Sequence, residues 1–113
     1  MSYFFAKTLP GGSFDDAITR VTQALQQEGF GILTEIDVAA TMQKKLGLSI
    51  PAYTILGACN PQLARQAIDA QPEIGVLLPC NVVVSQADGG VVHVDFMDPQ
   101  AVAVTIGPNQ LFR

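Results

Sequence analysis

The sequence predicts one domain in which strands and helices build a common core, and three observations carry that expectation. Apolar stretches of strand length alternate with shorter helical stretches. One helix near the start has a strong apolar stripe at helical spacing. Two extended runs flank Asp88-Gly89-Gly90, the clearest hairpin signal in the chain.

Residues 3 to 9, YFFAKTL, are short, apolar and aromatic, and predict a first strand that stops at Pro10-Gly11-Gly12. Ser13 then opens a helix, with Asp16 in the first turn where acid meets the positive helix end. Phe14, Ile18, Val21 and Leu25 recur on one face, with Ala17 and Ala24 beside them. Arg20, Gln23, Gln27 and Glu28 fill the wet face, and Gly29 ends the helix. Residues 30 to 38, FGILTEIDV, alternate as a second strand. Ile32, Thr34, Ile36 and Val38 are expected on one side, with Leu33, Glu35 and Asp37 on the other. Residues 38 to 47 predict a short helix closed by Gly47, with Met42 and Leu46 buried. After Pro51, AYTILGACN predicts a third strand. Asn60 caps a third helix with Pro61 at its first position, where a missing N–H costs nothing. Leu63, Ala64, Ala67 and Ile68 form the apolar stripe of that helix. A fourth strand is expected over 80 to 87 and a fifth in VVHVDFM, with a short sixth at 101 to 106.

A chain of 113 residues is one domain, 1–113, large enough to bury a core without disulfides. Charged residues make up 14% against a usual ~25%, and apolar residues 49%. Either the core is large for the length or some apolar surface is covered by a partner, and the second option motivates an oligomer. The net charge is −4 and the six Lys and Arg are scattered, so nucleic-acid binding has no basic footprint. No run approaches the ~20 apolar residues of a membrane span. MSYFFAKTLPGG is unlike a signal peptide, so a cytoplasmic location is expected, with both cysteines as thiols.

Short helices between strands fit parallel crossovers or excursions off an antiparallel meander equally well. The stretches GFGILTEIDV, KKLG, YTILGACNP, PEIGVLLPCNVVV and the Asp98-Pro99 step resemble the DUF302 family of bacterial and archaeal domains of unknown function. The likeness runs from about residue 3 to about residue 108. It favours the meander. It implies an α+β fold of the TATA-box-binding-protein type: strand, helix, four antiparallel strands and a final helix, with helices on one face of a sheet of four to five strands. It also implies a homodimer and no settled activity. Members of the family continue into a C-terminal amphipathic helix, whereas this sequence stops at Arg113, about one turn into it. Loss of that cover would expose apolar surface and favour a partner, a swapped element or an altered chain end.

Cys59-Asn60-Pro61 and Pro79-Cys80-Asn81 hold both cysteines. If the third and fourth strands are antiparallel neighbours, both thiols meet at one end of the sheet. A hairpin register summing to roughly 178 brings Asp98 beside Cys80. Cys59, Asn60, Cys80, Asn81 and Asp98 then form a candidate ligand site. Two thiolates and a carboxylate suit a soft or borderline metal, and two adjacent thiols suit reversible oxidation. The plainer reading is burial, since free cysteine packs as a small hydrophobe, and a spacing of 21 residues matches no standard metal pattern. No cofactor is expected beyond that metal option.

Glu35 and Asp37 share one side of a strand, an arrangement capable of acid–base work. Lys44 or Lys45 could neutralise one of them, which gives the plainer reading of a solvated salt bridge. The resemblance includes both acids and Lys45. His93 is the single histidine, and no serine stands in a recognisable nucleophile elbow, so a hydrolase triad is not expected. Glu73 lies just upstream of IGVLLPCN, where it could reach the cysteine end. The function these features favour is a small homodimeric binding domain with a pocket near Cys59 and Cys80, rather than an enzyme. A thiol-based redox or metal-handling protein is the alternative.

Overall fold

In the computed structural model, which describes residues 4–9 and 12–97, caps and glycines divide the chain close to the expected boundaries. Strand β1 spans Phe4–Leu9. Helix α1, Phe14–Gln27, opens where the Ser13 hydroxyl accepts the Asp16 N–H at 3.1 Å. Strand β2, Gly31–Asp37, runs directly into helix α2, Val38–Leu46. The junction is Asp37, whose Oδ1 accepts the Ala40 N–H at 2.9 Å, and Gly47 closes α2 in the left-handed conformation. Strand β3, Tyr53–Cys59, passes to helix α3, Pro61–Ala70, through Asn60, whose Oδ1 accepts the Leu63 N–H at 3.2 Å. A 3-10 segment, Pro72–Leu77, leads into β4, Cys80–Gln86, and a tight turn at Asp88–Gly90 leads into β5, Val92–Met97.

The fold is α+β, with a five-stranded sheet in the order β1-β5-β4-β3-β2 and every pair antiparallel. This decides between the two topologies left open by element order: β2 to β5 form a meander, and α2 and α3 are excursions from it. Strands β1 and β2 occupy opposite edges. The connection between them must cross four strand spacings of about 4.8 Å, roughly 19 Å. Helix α1 has 14 residues, which at about 1.5 Å each span roughly 21 Å. The helix is therefore long enough to bridge the sheet, and its apolar stripe rests on the sheet as it does so.

The core lies beneath α1. Leu56, Val82, Val84, Val92 and Val94 are buried with Ala17 of the helix, and Phe14, Ile18, Val21 and Leu25 pack against them. The register places Leu56 opposite Val82 and Val84 opposite Val94, so these side chains share a face.

Three expectations change. The ladder between β2 and β3 shifts between Ile32 and Thr34, with Leu33 as the extra residue. One inserted residue reverses the phase of a strand. Ile32 still faces the core, but Glu35 stands opposite buried Leu56 and Asp37 opposite buried Thr54. Ile36 is turned to the other side and is 48% exposed. In α2, Met42 is half-buried, whereas Leu46 is 63% exposed, because this nine-residue helix packs on the sheet mainly beside β3. In α3, Ala64 and Ala67 are half-buried while Leu63 and Ile68 are exposed. Asp98, the expected strand at 101 to 106 and the C-terminal helix position lie outside the described residues.

Candidate functional site

The end of the sheet where β3 stops and β4 starts is built by local chemistry. Asn60 ends β3 because its side chain caps α3. The chain returns through α3 and the 3-10 segment, and a cis Leu78–Pro79 peptide precedes Cys80. Gly57 lets this return lie close to the sheet. A Cβ there would overlap the Thr34 hydroxyl and approach Pro79 Cγ to 2.7 Å. On the other flank, a Cβ on Gly29 would lie 3.0 Å from Asn60 Nδ2, so the end of α1 sits against the cap of α3.

Across the β3–β4 ladder Ala58 pairs with Cys80, which puts Cys59 one step away. Both thiols are free and half-buried. Burial pushes the Cys80 thiol above its ordinary value, and the neighbouring Cys59 adds to the rise. A raised pKa keeps a thiol protonated near neutrality, which suits an apolar wall better than a nucleophile.

Both cysteines, Asn60 and Asn81 border one cavity of about 730 Å³. Its floor is the sheet at Ala58, Val82, Val94 and Phe96. Its walls are α1 at Val21, Ala24 and Leu25, α3 at Leu63, Ala64 and Ala67, and the 3-10 segment at Ile74 and Leu77. Among the described residues, three charged ones, Lys7, Arg20 and Glu28, also border it. That volume falls within the roughly 300–1,000 Å³ of small-molecule pockets, and a mainly apolar wall with few polar groups is their usual composition.

The other predicted residues lie elsewhere. Glu35 and Asp37 border a separate cavity of about 660 Å³, with Asp15, Phe14, Ile18 and Thr54. Asp37 is already engaged as the cap of α2. Lys45 borders neither cavity. Among the described residues the one ion pair is Arg65–Asp69, so the expected bridge from Lys44 or Lys45 to Glu35 or Asp37 does not form. The acids stand at the edge strand, and the lysines lie in the last turn of α2. His93 Nδ1 lies 3.3 Å from the Thr8 hydroxyl on the neighbouring strand, a packing role. Glu73 is exposed in the 3-10 segment and does not border the cysteine cavity. Among the described residues no group of three or more His, Cys, Asp or Glu side chains could hold a metal ion.

Sequence reasoning missed Lys7, Arg20 and Glu28 as cavity residues. Arg20, Ala24 and Glu28 repeat at four-residue intervals, the one signal that they share a flank of α1. Placing Lys7 required the pairing of β1 with β5, which strand order alone does not fix.

The model of the family described as domain of unknown function DUF302 matches residues 5–111. The chain belongs to the DUF302 family. Its fold is similar to the crystal structure of an uncharacterized conserved DUF302 protein from Bacillus stearothermophilus. The TM-score is 0.87 and the identity 28%, over 97% of this chain and 85% of that one. No curated protein matches the chain. Among the described residues of this DUF302 protein, no helix is long and apolar enough to cross a membrane.

Proposed function

We propose that this DUF302 protein is a binding domain whose cavity at the Cys59–Cys80 corner takes a small, mainly apolar ligand. The observation that supports the reading is the convergence of Cys59, Asn60, Cys80 and Asn81 on one apolar-walled cavity of about 730 Å³. The thiol-based redox or metal reading ranks second, because burial raises the Cys80 pKa and so disfavours a reactive thiolate. An environment-sensitive apolar fluorophore tests the binding reading. It should saturate one site per chain and raise the melting temperature. Ala67→Phe, which fills the cavity from α3, should abolish saturation while the circular dichroism stays native. Saturation that survives Ala67→Phe would remove the cavity from consideration.

We also infer that the domain self-associates through β2 and the segment after α2. Strand β2 is an edge strand, with Leu33 66% exposed and Ile36 on its outer face. Leu46, Leu48 and Ile50 are exposed in and just after the adjoining helix. Uncovered apolar edges of this kind normally meet a partner. Sedimentation at micromolar concentration tests it, and a single monomeric species would end the proposal.

A further inference from the structure

The cavity wall is mainly apolar, yet among the described residues it recruits two cationic side chains, Lys7 and Arg20. They come from different elements. Lys7 lies opposite Val94 in the β1–β5 ladder, and Val94 is a core residue, so Lys7 stands on the face that α1 covers. Its methylene stem can lie along apolar surface while the ammonium reaches water. Arg20 lies on α1 in line with Ala24, and both border the cavity. Among the described residues neither cation is in an ion pair, the one such pair being Arg65–Asp69.

Among the described residues, the acid that borders the same cavity is set apart from Arg20. Glu28 follows Arg20 by eight residues, about 12 Å along a helix axis at ~1.5 Å per residue. It precedes Gly29, where an added Cβ would lie 3.0 Å from Asn60 Nδ2, so Glu28 belongs to the cysteine end. An anion entering the cavity is thus repelled at the Asn60 end and attracted at the Lys7 and Arg20 positions. Between them lie Val21, Leu25, Val82 and Phe96, which offer an apolar body nothing but hydrocarbon. A guanidinium presents paired N–H donors matched to a carboxylate, and an ammonium adds a point charge.

Building on the proposed ligand-binding reading, we infer that the ligand is a freely diffusing amphiphile with an apolar body and one acidic head, held by Lys7 and Arg20. The body lies over the sheet beneath α1, and the head faces away from Glu28.

Calorimetric titration of the full chain with decanoate, decanol and decylammonium tests this. Decanoate should bind about tenfold tighter than decanol, the scale of one charge-assisted hydrogen-bonded contact, and decylammonium should bind weakest. Lys7→Gln, Arg20→Gln and the double variant should bring decanoate towards decanol without moving decanol. Both positions border the cavity from exposed sites, and circular dichroism checks that each variant folds. Equal affinity for decanoate and decanol, or variants that leave decanoate unchanged, would overturn the acidic head while the apolar cavity stands. Failure of all three compounds to bind would overturn the cavity reading and the head inference with it.

Discussion

Cys59 and Cys80 lie one register step apart across the β3–β4 ladder, and burial together with Cys59 raises the pKa of Cys80. The pair is a matter of topology. Helix α3 and the 3-10 segment carry the chain away from Cys59 and bring it back at Cys80.

A raised acid pKa has a signed consequence for stability. Below the ordinary thiol value of 9.0 the Cys80 thiol is neutral both folded and unfolded, and its contribution is fully present. As pH rises past 9.0 the unfolded thiol ionises first, so stability falls until the folded thiol also ionises. The melting temperature of Cys80→Ala should therefore decline less steeply above pH 9.0 than that of the wild type. In Cys59→Ser, Cys80 should react faster with a maleimide at fixed alkaline pH, since one cause of the raised pKa is gone. An unchanged rate would mean the two thiols are independent.

Gly57 should be intolerant of a side chain. A Cβ meets both Thr34 and Pro79, and overpacking of that kind costs about 1–3 kcal/mol. Urea denaturation of Gly57→Ala measures the loss. Adding Thr34→Ala removes one of the two clashes and should restore part of it. No recovery would place the strain at Pro79.

The caps at Asp37 and Asn60 are equivalent in form, each accepting a backbone N–H of the following helix. Alanine at either should cost about 1 kcal/mol in chemical denaturation. Asn60→Asp keeps the acceptor and should be nearly neutral. If Asp37→Ala were instead stabilising, the carboxylate would be held under strain, and an acid–base role for Glu35 and Asp37 would regain ground.

The exposed edge at β2 gives a fourth test. Leu33 is the extra residue in the shifted ladder and projects from an edge strand. Leu33→Lys puts a charge into any interface built there. Sedimentation should show the variant shifted towards monomer with its melting curve intact at low concentration. A dimer that persists unchanged would move the interface elsewhere.

Much of this architecture was legible in local chemistry. Ser13, Asn60-Pro61, Gly29, Gly47 and Asp88-Gly89-Gly90 act within a few residues of themselves, so the elements they bound could be read directly. The meeting of Cys59 and Cys80 was also legible once an antiparallel order was assumed, because register follows from the connection. The edge strand was less so. Alternation in β2 assumes an unbroken ladder, and the shift beside Leu33 turned Glu35 and Asp37 onto the core face. The exposure of Leu46 likewise depends on what α2 packs against, which its own periodicity does not specify.

The sequence by itself determined the main elements, their caps and the acidic, patch-poor charge, and it placed the cysteine corner only once an antiparallel order was assumed. Only the tertiary structure decided that β1 joins β5 at the far edge, because strand pairing is a long-range choice paid for in loop entropy and repaid by burial. That one choice stretches α1 across the sheet, brings Lys7 and Arg20 to the same cavity as the two cysteines, and gives the apolar space its charged border.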